Sequence, residues 1–394
     1  MEKYDLTVIG GGPIGLKVAE IVSKEGRNVL IVERRNEIGY PNHCSGLVSL
    51  SFVKENSVPE SIIVNSIKGA EFRIGNARLN FKDTTAHAVV INREAFDKNL
   101  AKNAVKNGAT LLLGTTVTSF YRKNGDVILT LSNGNKVETH LVIIASGALT
   151  GINRMFGFEN KLSETIHTIQ FDGKVEGIDR EIVYTFFDSN ISHNWFSWVI
   201  PLNNERAHIG IGTDKNENLV YLMKKFISET PLLKNVAFDA KNAVSWVIPI
   251  GLFGEIVKDN VMIVGDAAAQ VKPFSGGGLH TGMVSAKLAA KTALKALNAK
   301  NYSKSVLREY ENELNKKNVP IIRRGLVLRK IYRSMSDRDK ELFIRSLNNE
   351  EAKSIILKYG NIDSPTDVGI RLLKFVKGPL FLYFKELAAG AIRG

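Results

Sequence analysis

The sequence predicts an α/β fold in three parts: a parallel-sheet domain built from two separated stretches, an antiparallel-sheet domain inserted between them, and a helical C-terminal region. Three observations predict it. A strand–turn–helix–strand unit opens the chain. Residues 141–145 (Leu-Val-Ile-Ile-Ala) and 261–264 (Val-Met-Ile-Val) are continuous apolar runs far along the sequence, as strands covered on both faces require. Between them, residues 165–250 change to the alternating pattern of an antiparallel sheet with one buried face.

The elements follow in order. Residues 4–9 are an apolar strand, and Gly10-Gly11-Gly12-Pro13-Ile14-Gly15 follows. Leu16, Val18, Ala19 and Val22 then recur at helical spacing as far as Gly26, and residues 28–32 form a second strand ending at Glu33. Residues 50–90 read as short strands and loops. Residues 93–107 read as an amphipathic helix with Phe96, Leu100, Ala104 and Val105 on one face. Residues 110–140 read as three short strands, with turn signals at Asn124-Gly125 and Asn133-Gly134. Residues 182–187, 195–200 and 207–211 alternate as strands, and a helix over 219–227 interrupts them. A further helix runs over about 277–297, and from Tyr302 the chain is helical and basic. The expected domains are 1–155 with 255–300, 156–254, and 301–394.

Bulk properties narrow the function classes. At 394 residues with 44% hydrophobic and 24% charged residues, the chain can bury a sizeable core. Cys44 is the single cysteine, which excludes an internal disulfide and a CxxC metal site and suits a reducing cytoplasm. His43, His167, His193, His208 and His280 lack metal-ligand spacing, so no metal is expected. No leader and no run of about 18 apolar residues is expected to direct the chain into or across a membrane. The formal net charge of +13 favours anionic partners. No nucleic-acid-binding motif accompanies it; phosphate-bearing substrates and acidic lipid surfaces stay open, as does plain surface solubility.

The first glycine cluster fits G-x-G-x-x-G as Gly10, Gly12 and Gly15. Gly10 permits the tight turn, Gly12 lets backbone approach a pyrophosphate, and Gly15 lets helix and strand pack closely. Glu33 ends the next strand 18 residues beyond Gly15, where a carboxylate meets ribose hydroxyls; Arg34, next to it, is also a cofactor-binding candidate. The plain alternative is a glycine-rich turn with an ordinary surface glutamate. A second cluster, Gly265-Asp266 and Pro273-Phe274-Ser275-Gly276-Gly277-Gly278, ends a buried strand and opens a helix. It offers a carboxylate for a polyol hydroxyl and a helix N-terminus for an electron-rich ring, which points to a flavin rather than a nicotinamide.

These segments resemble the flavoprotein monooxygenase-like group with the p-hydroxybenzoate hydroxylase fold. The match comprises Gly10 to Gly15 with Glu33, the strand end Ala145-Ser146-Gly147, Gly265-Asp266 with Pro273 to Gly278, and the helix start Arg93-x-x-Phe96-Asp97. The resemblance implies bound FAD in an FAD-binding Rossmann-like domain, with Arg93 along the cofactor. No second dinucleotide fingerprint indicates a dedicated NAD(P)H domain.

Within that group, Tyr40-Pro41-x-x-Cys44-Ser45-Gly46 resembles the cysteine-containing stretch of the geranylgeranyl reductase family. The family also carries an aromatic-x-Trp-x-aromatic-Pro motif. Here it reads Phe196-Ser197-Trp198-Val199-Ile200-Pro201, followed by Gly210-Ile211-Gly212; Phe196 and Ile200 depart from the usual tyrosine and phenylalanine. The resemblance implies an FAD-dependent reductase that saturates C=C bonds of geranylgeranyl chains on archaeal-type ether phospholipids. Saturating an isolated alkene needs hydride at one carbon, a proton at the other and an apolar channel that excludes water. Trp195, Phe196, Trp198, Ile200, Pro201 and Trp246 are the candidate channel residues. Cys44 and His43 are the candidate proton donors, with Cys44 also a candidate flavin neighbour. NADPH or a ferredoxin-like protein would supply electrons. The plain alternatives stay open: Cys44 as a small buried hydrophobe, and the tryptophans as core. An FAD monooxygenase acting on an aromatic or other apolar molecule is the rival activity, and a non-catalytic FAD-containing lipid binder is the rival from another class. Residues 377–387, with the runs Arg323-Arg324 and Arg329-Lys330, are candidates for peripheral contact with an anionic membrane.

Overall fold

A computed structural model describes residues 1–148, 151–159, 162, 164–363 and 365–375. The chain divides into two compact units, Met1–Tyr40 with Arg93–Ser163 and Pro249–Arg323, and Pro41–Asn92 with Glu164–Ile248 and Arg324–Gly394.

The first unit is built on an eight-stranded sheet. Its centre is parallel: Val261–Ile263, Lys136–Ile144, Glu2–Ile9, Val29–Val32 and Thr110–Leu112 lie side by side in that order. Register aligns Ile9 with both Ile144 and Val32, so consecutive strands end together at one edge. Leu6, Val8, Ile31, Leu141 and Ile143 are fully buried, which explains the unbroken apolar runs. Helix Pro13–Lys24 starts with proline, whose missing N–H costs nothing there. Helix Leu279–Ala299 packs against it through small residues: Gly282 is so close that a Cβ would stand 2.5 Å from Ile14 Cδ1.

The second unit holds a seven-stranded sheet in the order Val244–Ile250, Glu164–Lys174, Arg206–Thr213, Ser197–Pro201, Ile182–Phe187, Gly69–Ile74, Ala77–Lys82. One face carries Ile169, Phe171, Val199, Ile209 and Ile211, covered by Leu222, Met223 and Phe226 of helix Leu219–Glu229. A three-stranded sheet, Leu47–Ser49, Ala88–Ile91 and Ile63–Ile67, contributes Ile67, Ala88 and Val90 to a cluster with Val183 and Ile200. Helices Asp337–Leu347 and Glu350–Tyr359 bury Ile344, Leu347 and Ala352 against Ile74 and Leu79.

The compact units differ from the expected domain boundaries at residues 41–92, which fall in the second unit. The hairpin Gly69–Ile74/Ala77–Lys82 joins the large sheet through a parallel pairing, with Phe72 opposite Thr185. A long-range pairing of that kind leaves no mark on local hydrophobic periodicity. The expected short strands of residues 50–90 are present, with helix Leu50–Glu55 added; Ser49 caps it, its hydroxyl accepting from Phe52 N–H at 2.9 Å. The strand expected at 141–145 begins at Lys136, because its first half pairs antiparallel with Asp126–Leu131. The C-terminal region is helical as expected, though its helices are shared between the units. Residues 377–387 lie outside the described residues.

Candidate functional site

The first unit forms a cradle at the ends of its parallel strands. Gly10 leaves strand Glu2–Ile9 at φ +116°, and a Cβ there would stand 2.3 Å from the Ala145 carbonyl oxygen. Only glycine fits that turn. Gly15 is as tightly placed, 2.2 Å from its virtual Cβ to Gly10 O. Gly12 differs: it caps helix Pro13–Lys24, and no atom lies within 4 Å of where its Cβ would be. Open space at Gly12, beside two locked glycines, leaves room for the backbone approach that a pyrophosphate requires.

Glu33 is 9% exposed. Its Oε2 accepts from Gly11 N–H at 2.6 Å and its Oε1 from Arg35 N–H at 2.9 Å. The carboxylate thus holds the glycine turn to the second strand, and each oxygen keeps lone-pair capacity for ribose hydroxyls. Arg34 is exposed, away from the buried Glu33 carboxylate. Arg93 is buried, and its Nη2 lies 3.1 Å from both oxygens of Asp97, one helical turn on. Burial pushes the Asp97 carboxyl up, with Arg93 opposing.

Ala145 follows strand Lys136–Ile144, its N–H donating to Ile9 O at 2.8 Å, and Gly147 takes φ +70°. Gly265 turns at φ +66° and donates to Gln270 Oε1 at 2.6 Å; Gln270 Nε2 in turn donates to Tyr310 Oη at 2.7 Å. Burial raises the Asp266 carboxyl to about 6, with the Arg93 guanidinium pulling the other way. Asp266 Oδ1 faces Gly278, 2.8 Å from where its Cβ would be. Pro273 is buried, Gly276 takes φ +73°, and the Gly276–Gly278 turn leads into helix Leu279–Ala299. The positive-φ residues Gly10, Gly147, Gly265 and Gly276, the Glu33 and Asp266 carboxylates and two helix N-termini therefore fit FAD.

The second unit carries the candidate channel residues. Register sets Thr168, Gln170, Trp198, Gly210 and Gly212 on the sheet face opposite the core cluster. The Trp198 indole occupies the space in front of Gly210, where a Cβ would stand 2.2 Å from its ring, and the Trp195 indole does the same at Gly212, at 2.3 Å. Trp198 Nε1–H donates to Gln170 Oε1 at 2.9 Å. Phe196 lies between the two indoles, 5.1 Å from Trp195 and 5.9 Å from Trp198. Glycines at alternate strand positions are thus sockets for tryptophan rings.

Trp195, Ile200 and Pro201 are packed interior rather than open wall. Trp195 is 2% exposed, roofed by the Arg329 guanidinium 4.8 Å from its ring. Arg329 is itself clamped by Glu164, and Tyr332 Oη donates to Trp195 O at 2.9 Å. Ile200 fills the cluster with Val183 and Val90, and the Pro201 carbonyl accepts from Asn65 Nδ2 at 2.9 Å. Their burial follows from the three-stranded sheet and helix Val319–Ser334 covering that part of the face. Phe196, Trp198 and Trp246 remain partly exposed.

The Cys44 segment stands beside Trp246. The His43 imidazole stacks on the Trp246 indole at 3.9 Å and 21°, and His43 Nδ1 lies 3.3 Å from Pro41 O. Cys44 N–H donates to Asn42 Oδ1 at 3.1 Å, and its side chain is half-buried. Gly46 follows at φ +71°, its virtual Cβ 2.2 Å from Ile91 O. The turn is therefore held against strand Ala88–Ile91, and it carries the His43 ring onto Trp246 with Cys44 next in sequence.

Sequence reasoning missed Gln170, the Gln270–Tyr310 pair and Lys272, a lysine 7% exposed at the second glycine turn. A polar residue at alternate positions of an otherwise apolar strand was the available signal for Gln170. Among the described residues no group of three or more His, Cys, Asp and Glu side chains could hold a metal, and no helix is long and apolar enough to cross a membrane.

The sequence profile of the lycopene cyclase protein family matches residues 5–363. An uncharacterized protein of Methanocaldococcus jannaschii is 32% identical over 379 residues, 94% of this chain and 95% of the relative. Digeranylgeranylglycerophospholipid reductase 1 of Methanosphaera stadtmanae is 30% identical over 368 residues, 90% of this chain and 91% of the relative. Among solved structures, a geranylgeranyl bacteriochlorophyll reductase-like protein of Thermoplasma acidophilum superposes with a TM-score of 0.83 at 25% identity, covering 95% of this chain and 100% of that one.

Proposed function

Because the chain belongs both to the lycopene cyclase protein family and to the digeranylgeranylglycerophospholipid reductase family, we propose that it saturates C=C bonds of geranylgeranyl chains carried on archaeal-type ether phospholipids. It is an FAD-dependent oxidoreductase. The observation that carries the substrate reading is the partly exposed aromatic pair Phe196 and Trp198 on the sheet face opposite the core cluster, in a chain whose other unit holds the glycine turns of a flavin cradle.

FAD, when bound, supplies hydride chemistry to one alkene carbon. The chain's residues do the rest. Gly10, Gly12, Glu33, Arg93, Asp266 and Gly276–Gly278 hold the cofactor. Phe196, Trp198 and Trp246 bind the isoprenoid, exclude water and offer ring faces to positive charge developing on the second carbon. Cys44 or His43 delivers the proton there; the half-burial of both and the stacking of His43 on Trp246 support the assignment. The electron donor is NADPH or a ferredoxin-like protein, and the protein works in the cytoplasm at the membrane surface. The net charge of +13 supports both an acidic donor and an anionic lipid.

The experiment is to incubate dithionite-reduced holoenzyme with geranylgeranylated glycerophospholipids and follow mass by spectrometry. Stepwise gains of two hydrogens per double bond are expected. Lipid binding without any mass gain, or oxygen uptake coupled to hydroxylation, would overturn the reading.

A further inference from the structure

We infer that Lys272 is a cofactor-tuning residue: its ammonium, held against the Gly276–Gly277 turn, raises the reduction potential of bound FAD by stabilising the extra negative charge of the reduced form. The inference rests on the FAD reading of the first unit and goes beyond it.

Lysine is seldom buried this deeply, and Lys272 is only 7% exposed at the turn that opens helix Leu279–Ala299. Two backbone bonds fix it. Lys272 N–H donates to Gly277 O at 3.2 Å, and Gly276 N–H donates to Lys272 O at 2.9 Å. These close a tight loop over residues 272–277 and fold the side chain back across its own turn. A Cβ at Gly277 would stand 2.8 Å from Lys272 Cε and 3.1 Å from Nζ, so the amine fills the space that Gly277 leaves open. Buried Val271 and Pro273 flank it and keep the loop rigid. The turn feeds the N-terminus of the 21-residue helix Leu279–Ala299, whose unpaired N–H groups carry partial positive charge.

Reduction by dithionite adds two electrons and one proton to FAD, so the reduced cofactor carries one more negative charge than the oxidised one. A fixed cation within a low-dielectric turn favours that charge state over the oxidised state. Arginine at the position keeps the charge; glutamine and methionine keep much of the length and lose it.

The test is the midpoint potential of the FAD-loaded wild type and of Lys272→Met, Lys272→Gln and Lys272→Arg, by dithionite titration against a reference dye. The neutral variants are expected to favour reduced FAD at least tenfold less than the wild type, about 30 mV for a two-electron couple, with Lys272→Arg close to the wild type. Where a variant binds FAD weakly, separate affinities for oxidised and reduced FAD give the same quantity, and the loss for reduced FAD must exceed the loss for oxidised by tenfold. Unchanged potentials, equal losses of both forms, or loss of FAD by all three variants including arginine would overturn the inference. A wild-type protein that takes up no FAD would instead remove the cofactor reading itself.

Discussion

Trp198 donates its indole N–H to Gln170 across the strand that separates them, at 2.9 Å, with the ring lying over the bare backbone of Gly210. Three adjacent strands thereby fix one aromatic wall. Gly210→Ala would push a methyl into the ring, costing about 1–3 kcal/mol by overpacking. A lowered Tm, a shifted tryptophan emission and a changed preference for chain length are expected together. A variant that melts and turns over as the wild type does would show that the socket does not set the wall.

The glycine cradle makes opposite predictions for two neighbours. Gly10→Ala meets the Ala145 carbonyl and a φ of +116°, and should cost about 1–3 kcal/mol of apoprotein stability. Gly12→Ala meets nothing within 4 Å, so the apoprotein should melt within about 0.5 kcal/mol of wild type. Its FAD affinity should fall about tenfold or more. Denaturant melts and flavin fluorescence titrations distinguish the two; equal FAD affinity in Gly12→Ala would place the pyrophosphate elsewhere.

Asp266 gives the apoprotein a pH signature. Its carboxyl moves from 3.8 unfolded to about 6 folded because burial disfavours the charge. The folded form therefore binds more protons between those values. Its contribution to stability is full below about pH 4 and is lost as pH rises through about 6. Asp266→Asn should abolish that part of the decline, making the variant relatively more stable than wild type at pH 7 than at pH 4, while weakening FAD binding. Parallel pH–stability curves for the two proteins would contradict the buried carboxylate.

Cys44→Ala and Cys44→Ser should keep the yellow holoenzyme and lose turnover by about 100-fold or more, the range of a missing proton donor. His43→Gln, which removes the stacked imidazole beside Trp246, separates the two candidates: the residue whose loss also abolishes the acidic or basic limb of the pH–rate profile is the donor. Full activity in both Cys44 variants would leave that thiol as packing.

Much of the cradle was legible because its rules are local. Gly10, Gly15 and Gly276 are demanded by backbone conformation or close approach within a few residues, and Glu33 by the length of one strand–helix–strand unit. Lys272 escaped because nothing in Val-Lys-Pro-Phe says that the side chain folds inward over Gly277. Arg34, the other cofactor-binding candidate after the second strand, is exposed where Glu33 is buried.

By itself the sequence determined the alternation of buried parallel strands with a glycine-turned helix, the insertion of an antiparallel sheet, the flavin cradle and the kinship of the Cys44 and Trp198 segments, because periodicity and turn chemistry act over neighbouring residues. Tertiary structure alone decided that residues 41–92 join the second unit, that Gly210 and Gly212 are sockets for tryptophans, that Trp195, Ile200 and Pro201 are interior while Phe196, Trp198 and Trp246 stay open, and that His43 stacks on Trp246. Those outcomes depend on which strands pair across the chain and what covers each face, and pairing between distant segments is set by the summed burial of the whole unit rather than by any one stretch of it.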